Sequence, residues 1–251
     1  MILRKILILQ IPIHVILCFA QQQFSFPIDT IDITGNFGEI RNSHFHQGID
    51  FSTKGKENLP VKSIDEGYIY RIKISSKGYG KALYVHHPSG WLSVYAHLNS
   101  FSDKIQKLLN QYLIQTNQNE IDIILKKDSI PVKKNEIIAY SGNTGTSSGP
   151  HLHFEIRDEL TEIPINPLFY LPFKDTTKPN IQKIIFYNLS DTISPTPIIH
   201  QKIKNKKQSD TLIIPPITGI AFSGHDKMYP NGNPNNIYKI QIIFLLSKKI
   251  W

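Results

Sequence analysis

Between residues 141 and 157 the chain reads Ser-Gly-Asn-Thr-Gly-Thr-Ser-Ser-Gly-Pro-His-Leu-His-Phe-Glu-Ile-Arg, and this stretch constrains the fold more than any other. Gly142, Gly145 and Gly149 stand among turn-forming neighbours and can all take positive φ, which predicts a tight loop. From His151 onward polar and apolar residues alternate with period two, the pattern of a half-buried strand. His151, His153, Glu155 and Arg157 then share one face, and Leu152, Phe154 and Ile156 turn into a core. Two imidazoles side by side suit either a metal site or a plain surface strand. Partners elsewhere in the chain must decide, because metal sites draw their ligands from several segments.

Those partners must come from histidines and carboxylates. Residues 1–20 open with Arg4 and Lys5, run through an apolar stretch and end on Cys-Phe-Ala before three glutamines, which predicts a secretory signal peptide and an exported protein of the periplasm or cell envelope. The apolar run falls short of the roughly 20 residues that a membrane anchor needs. A lipoprotein signal with Cys18 lipidated is the alternative, although Leu17 stands where a small residue is wanted. Cys18 is the only cysteine, so cleavage behind it leaves no disulfide and no thiolate ligand. Loss of Arg4 and Lys5 takes two charges from a formal net charge of +8. Such a basic exported chain meets anionic envelope polymers. It has no basic run interleaved with aromatics, and export argues against nucleic acid as a partner.

His46 and Asp50 are separated by a turn-capable Gly48, so an imidazole and a carboxylate, both suited to zinc, can converge without a helix. His44 would share the face of His46 on a strand and is assigned a place at the rim. From residue 60 a meander of short β-rich runs follows, at 60–64, 67–74, 81–87 and 91–98, with connections short enough for antiparallel hairpins. His97 falls at the end of the last run. His86 and His87 are adjacent, point to opposite faces and read as ordinary sheet residues.

Residues 101–127 break the period. Ser102 can cap a helix whose Ile105, Leu108, Leu109, Tyr112 and Leu113 fall on one face. With the apolar run 121–125, the segment 102–125 reads as a helical insertion laid against the sheet, tuning access to it. Strands resume over 130–140, with Lys134-Asn135 at a turn where Asn tolerates the left-handed conformation.

Taken together, His46-x-x-x-Asp50, Tyr95-Ala96-His97-Leu98 and Gly149-Pro150-His151-Leu152-His153-Phe154-Glu155 occur in that order, and the combination resembles the lysostaphin/LytM-type zinc metallopeptidases. The likeness covers roughly residues 37–172. It implies a mainly β fold: a compact antiparallel β-sheet metallopeptidase domain with a helical insertion. It implies one zinc ion per chain held by His46, Asp50 and His153, with His97 and His151 as the catalytic pair. It also implies hydrolysis of peptide bonds in peptidoglycan cross-links or bridges. Some members of the family have lost ligands and activate other wall hydrolases, so envelope regulators are further possible partners, and a wall-binding module is a third reading. The insertion after Leu98 and the Lys134-Asn135 turn depart from the family's pattern without removing a site residue. Glu155 either orients a ligand or is a plain surface carboxylate.

The domain plan is then a signal peptide over 1–20, a zinc peptidase domain over 21–173 and an accessory β region over 180–251 behind a linker at 174–179. Strands are expected at 181–187, 211–214, 219–222 and 237–246. An immunoglobulin-type sandwich takes about 100 residues and about seven strands, so the accessory region reads as incomplete and sandwich-like.

Overall fold

The computed structural model describes residues 23–41, 43–116, 120–190, 197–202, 218–237 and 240–241. The expected signal peptide with Cys18 and the expected strand at 211–214 lie outside the described residues. The chain opens with β1 (Ile33–Gly35), β2 (Ile49–Ser52), β3 (Pro60–Lys62), β4 (Gly67–Ile74), β5 (Lys81–His86), β6 (Trp91–Ala96) and β7 (Leu98–Phe101). Helix α1 (Asp103–Thr116) follows, then β8 (Ile121–Ile124), β9 (Pro131–Val132), β10 (Ile137–Ser141), β11 (His151–Asp158) and β12 (Pro164–Ile165). After a single 3-10 turn at Pro167–Phe169 come β13 (Asn180–Asn188), β14 (Pro197–Lys202) and β15 (Thr218–His225). The protein is mainly β, and every strand pairing is antiparallel.

A large sheet runs in the order β1-β2-β11-β6-β5-β4-β8, with β12 added to β11 and β9 to β4. The alternation in β11 turns Leu152, Phe154 and Ile156 fully into the core, where Phe154 meets Phe51 and Tyr95 edge-on at 6.2 and 5.3 Å. Burying each such side chain contributes about 1.5–3 kcal/mol, so this strand's register is strongly fixed: a slip by one residue would exchange its two faces. The hairpins from β4 to β6 form as the meander predicts. The run at 60–64 does not join them. Only Pro60–Lys62 is a strand, and it pairs with β10 in a second sheet of order β3-β10-β7. Ser63 and Ile64 leave that strand because Ser63 pairs by its backbone with Glu136 and Asn135, and Ile64 donates to Tyr95 Oη at 3.0 Å.

Helix α1 begins after Ser102, whose carbonyl accepts from Ile105 and Gln106. Ile105 and Leu109 are buried in the common core, with Leu108, Tyr112 and Leu113 packed against it. β8 extends the large sheet beside β4. The segment is therefore tied into the domain's core instead of resting on its surface. Asn135 takes φ of 66° at the expected turn.

Past residue 173 the linker carries no strand, and a three-stranded sheet of order β14-β13-β15 follows. β14 was not expected from the sequence. Of the expected strand at 237–246, residues 238–239 and 242–246 lie outside the described residues, and Ile237, Ile240 and Gln241 are not in a strand. Among the described residues no helix is long and apolar enough to cross a membrane.

Candidate metal centre

The register of β11 brings the separate motifs together. His153 stands opposite Asp50 of β2 on one side and opposite Ala96 of β6, the residue before His97, on the other. His46 arrives on a hairpin in which Gly38 N donates to His46 O and His46 N donates to Glu39 O, both at 2.8 Å. His97 leaves β6 with φ of 57°. This left-handed turn carries the chain from the large sheet into β7 of the second one. It is uncommon for a residue with a side chain and costs about 1–3 kcal/mol.

Three ligand-type atoms converge. Asp50 Oδ1 lies 3.1 Å from His46 Nε2 and 3.0 Å from His153 Nδ1, and the two ring nitrogens are 3.0 Å apart. All three residues are buried. The opposite nitrogens of the two rings are committed outward: His46 Nδ1 faces Asn36 O at 2.7 Å, and His153 Nε2 faces Glu155 Oε1 at 2.8 Å. A carbonyl and a carboxylate only accept, so each outer nitrogen carries the proton and each neutral ring points its lone pair inward. Two lone pairs and a carboxylate oxygen aimed at one point suit a cation. Three donors about 2.0–2.1 Å from one zinc ion stand roughly 3–3.4 Å apart, so the residues fit the metal.

Burial opposes a charge on His153, but hydrogen bonds to Asp50 and Glu155 and their charges outweigh it, and its pKa is raised to about 9. Burial likewise opposes the charge on Asp50, and the two imidazoles overcome it and hold its carboxyl far below the usual range.

The remaining two imidazoles lie alongside. The His97 and His151 ring centroids are 4.7 Å apart, and His151 Nε2 is 3.6 Å from Asp50 Oδ1. His97 Nδ1 faces Thr144 O and His151 Nδ1 faces Gly149 O, each at 2.8 Å, so both rings are anchored by one nitrogen and free at the other. Burial lowers the pKa of His97 to about 4, against the opposing hydrogen bond that its ring donates to the Thr144 carbonyl. The glycine-rich loop holds Thr144 in place: its hydroxyl accepts from Lys81 N and donates to Leu98 O, both at 2.9 Å. Of the three loop glycines only Gly145 takes positive φ, at 73°, and a Cβ there would meet Gly80 N at 2.3 Å. His44 is exposed beside Ser43, outside the cluster. His87 is buried between Glu66 O and Ser93 Oγ, and His86 pairs with Glu159, so both serve the sheet.

With this geometry in view, the sequence model of Peptidase family M23 matches the chain over residues 44–111 and 110–167, two pieces that meet inside α1. The chain belongs to peptidase family M23.

The DD-carboxypeptidase/endopeptidase Mpg of Neisseria meningitidis serogroup B is 32% identical to the M23 chain over 123 residues, which is 49% of this chain and 22% of that protein. The murein hydrolase activator NlpD of Salmonella dublin is 30% identical over 137 residues, 55% of this chain and 28% of that protein. The chain thus spans less than a third of the length of either relative. Among solved structures, a zinc-containing peptidase from Vibrio cholerae is 25% identical, with 58% of this chain and 39% of that one covered at a TM-score of 0.43.

The M23 domain surrounds the cluster with Glu155, for which the sequence left a ligand-orienting role and a surface place both open, and with Arg157 and Tyr79, to which it assigned no role. Glu155 is fully buried, and Arg157 Nε donates to its Oε2 at 2.6 Å. Tyr79 Oη donates to Glu155 Oε1 at 2.5 Å, and its ring stacks on His153 with centroids 5.3 Å apart. Glu155 is therefore no surface carboxylate; it orients His153. Tyr79 sits in a connection between hairpin strands, where only its flanking Gly78 and Gly80 stand out, and they signal a turn rather than a role.

Proposed function

We propose that this chain is an exported zinc metalloendopeptidase that hydrolyses peptide bonds in the cross-links or bridges of peptidoglycan. In this reading His46, Asp50 and His153 hold one zinc ion, and His97 and His151 act on the reacting groups. The observation that carries it is the convergence of Asp50 Oδ1, His46 Nε2 and His153 Nδ1 within 3.1 Å of one another, with both further imidazoles beside them. Zinc held there supplies Lewis-acid polarisation of a carbonyl and a water made acidic enough to attack at neutral pH.

The chain's own residues supply the rest. Glu155 and Asn36 O fix the tautomers of His153 and His46, so that both rings stay ligands. His97 and His151 present Nε2 to the site. Such a nitrogen, when neutral, accepts a proton from the attacking water; when protonated, it donates to the carbonyl oxygen or to the departing amine. The domain at 21–173 carries this chemistry and the region 180–251 is an accessory to it, behind a signal peptide over 1–20 that is removed on export.

The relatives named as murein hydrolase activators favour a second reading, in which the domain engages the wall or a partner hydrolase without cutting. Against it stands a cluster with none of its members replaced. The test is digestion of purified peptidoglycan with and without a chelator, followed by mass spectrometry of the released fragments. Chelator-sensitive release of new peptide ends is expected. Intact peptidoglycan in the presence of zinc-loaded protein would leave the activator reading.

A further inference from the structure

The hairpin that delivers His46 also delivers an arginine to the same carboxylate. Arg41 N donates to His44 O at 2.8 Å across the turn, and its guanidinium folds back so that Nη2 lies 3.1 Å from Asp50 Oδ2. Asp50 is thus held by both oxygens: Oδ1 faces His46 of this hairpin and His153 of β11, and Oδ2 faces Arg41. Glu39 Oε2, also 3.1 Å from Nη2, keeps the guanidinium over the strand. The neighbouring strand is cut away to admit the pair. Gly35 stands opposite Asp50 in the β1–β2 ladder, and a Cβ there would lie 2.4 Å from Asp50 Oδ2 and 2.6 Å from Arg41 Nη2. Arg41 Nε is buried without a hydrogen-bond partner, so the arginine accepts an unsatisfied donor in order to reach this carboxylate.

From this arrangement we infer that Arg41 is a positioning residue that reserves Oδ2 of Asp50. The carboxylate then offers the ion one oxygen instead of two, and a coordination position stays open for the reacting groups. A carboxylate binds a metal through one oxygen or both, and a charge-assisted hydrogen bond to the second oxygen decides which. The inference rests on the zinc reading above and adds to it a device that keeps the site four-coordinate and therefore open.

Cobalt(II) in place of zinc reads this directly, because four-coordinate cobalt absorbs visible light more strongly than five-coordinate cobalt. In the full chain, Arg41→Gln frees Oδ2 and is expected to bind cobalt at least as tightly as the parent protein, with a weaker, five-coordinate spectrum. Arg41→Lys, which restores a charge beside Oδ2, is expected to return the strong spectrum. An unchanged spectrum in Arg41→Gln overturns the inference, as does an affinity loss of about 10–100-fold without a spectral change, the mark of a residue that only supports the ligand shell. Should Arg41→Gln prove unfolded by circular dichroism, Gly35→Ala takes its place: its added methyl group separates the pair and is expected to give the same spectral change, and an unchanged spectrum there overturns the inference. No cobalt or zinc uptake by the parent protein overturns the zinc reading and this inference with it, whereas uptake with an unaltered Arg41→Gln spectrum overturns this inference alone.

Discussion

His97 shows how a single residue carries cost and role together. Its left-handed backbone, φ of 57°, turns the ring toward His151 and away from the strand it leaves. Alanine keeps the strain and removes the ring; glycine removes both. His97→Gly is therefore expected to be more stable than His97→Ala by about 1 kcal/mol, measured as a higher midpoint of thermal unfolding. Equal midpoints would contradict the strain. Both variants, and His151→Ala, are expected to keep zinc and to lose about two orders of magnitude or more in turnover on peptidoglycan. Near-normal turnover in a folded variant would remove that residue from the chemistry. His46, Asp50, His97, His151 and His153, singled out in the sequence by three motifs in order and by the family resemblance those motifs carry, are residues that the structure brings together. The backbone of His97 was not legible there, because no spacing rule records a φ. Arg41 and Tyr79 were also hidden: each acts through a long side chain reaching across strands, and sequence separation says nothing about where such a chain ends.

At the scale of elements, period-two alternation revealed β11 and the hairpins of β4 to β6, because each has one face on the core and its neighbours are joined by short connections. What failed was the partnership of short strands. β3 is three residues long, and its pairing with β10 is decided by packing across the domain rather than by its own pattern. The helical period of α1 was legible, but its depth was not. Leu109 is 1% exposed and sits in the same core as Phe154 and Tyr95. Leu109→Ala is accordingly expected to cost about 2–5 kcal/mol, as for other buried leucines, read from denaturant unfolding. A cost below about 1 kcal/mol would mean that the insertion is a surface addition after all.

Across the whole molecule, the loop after β15 clasps the edge of the large sheet. Asn233 Nδ2 donates to Asp32 Oδ2 at 2.7 Å, and Asn36 Nδ2 donates to Asn236 O at 3.0 Å, on the residue whose carbonyl holds His46. Contacts between residues about two hundred positions apart leave no trace in a sequence. The fold is expected to be acid-sensitive through its buried His87. Burial holds His87 below its usual pKa. Below the unfolded value of about 6.5 the unfolded chain takes up a proton that the buried ring refuses, so stability falls as pH drops through that value. His87→Gln is expected to narrow the gap between unfolding midpoints measured at about pH 7.5 and about pH 5.5; an unchanged gap would contradict this. Whether His46, Asp50 and His153 form one zinc site is decided by metal analysis of the purified, zinc-loaded and dialysed protein. About one zinc per chain is expected in the parent protein and nearly none in a folded His153→Ala variant. A parent protein without zinc, or a His153→Ala variant that keeps it, would contradict the claim.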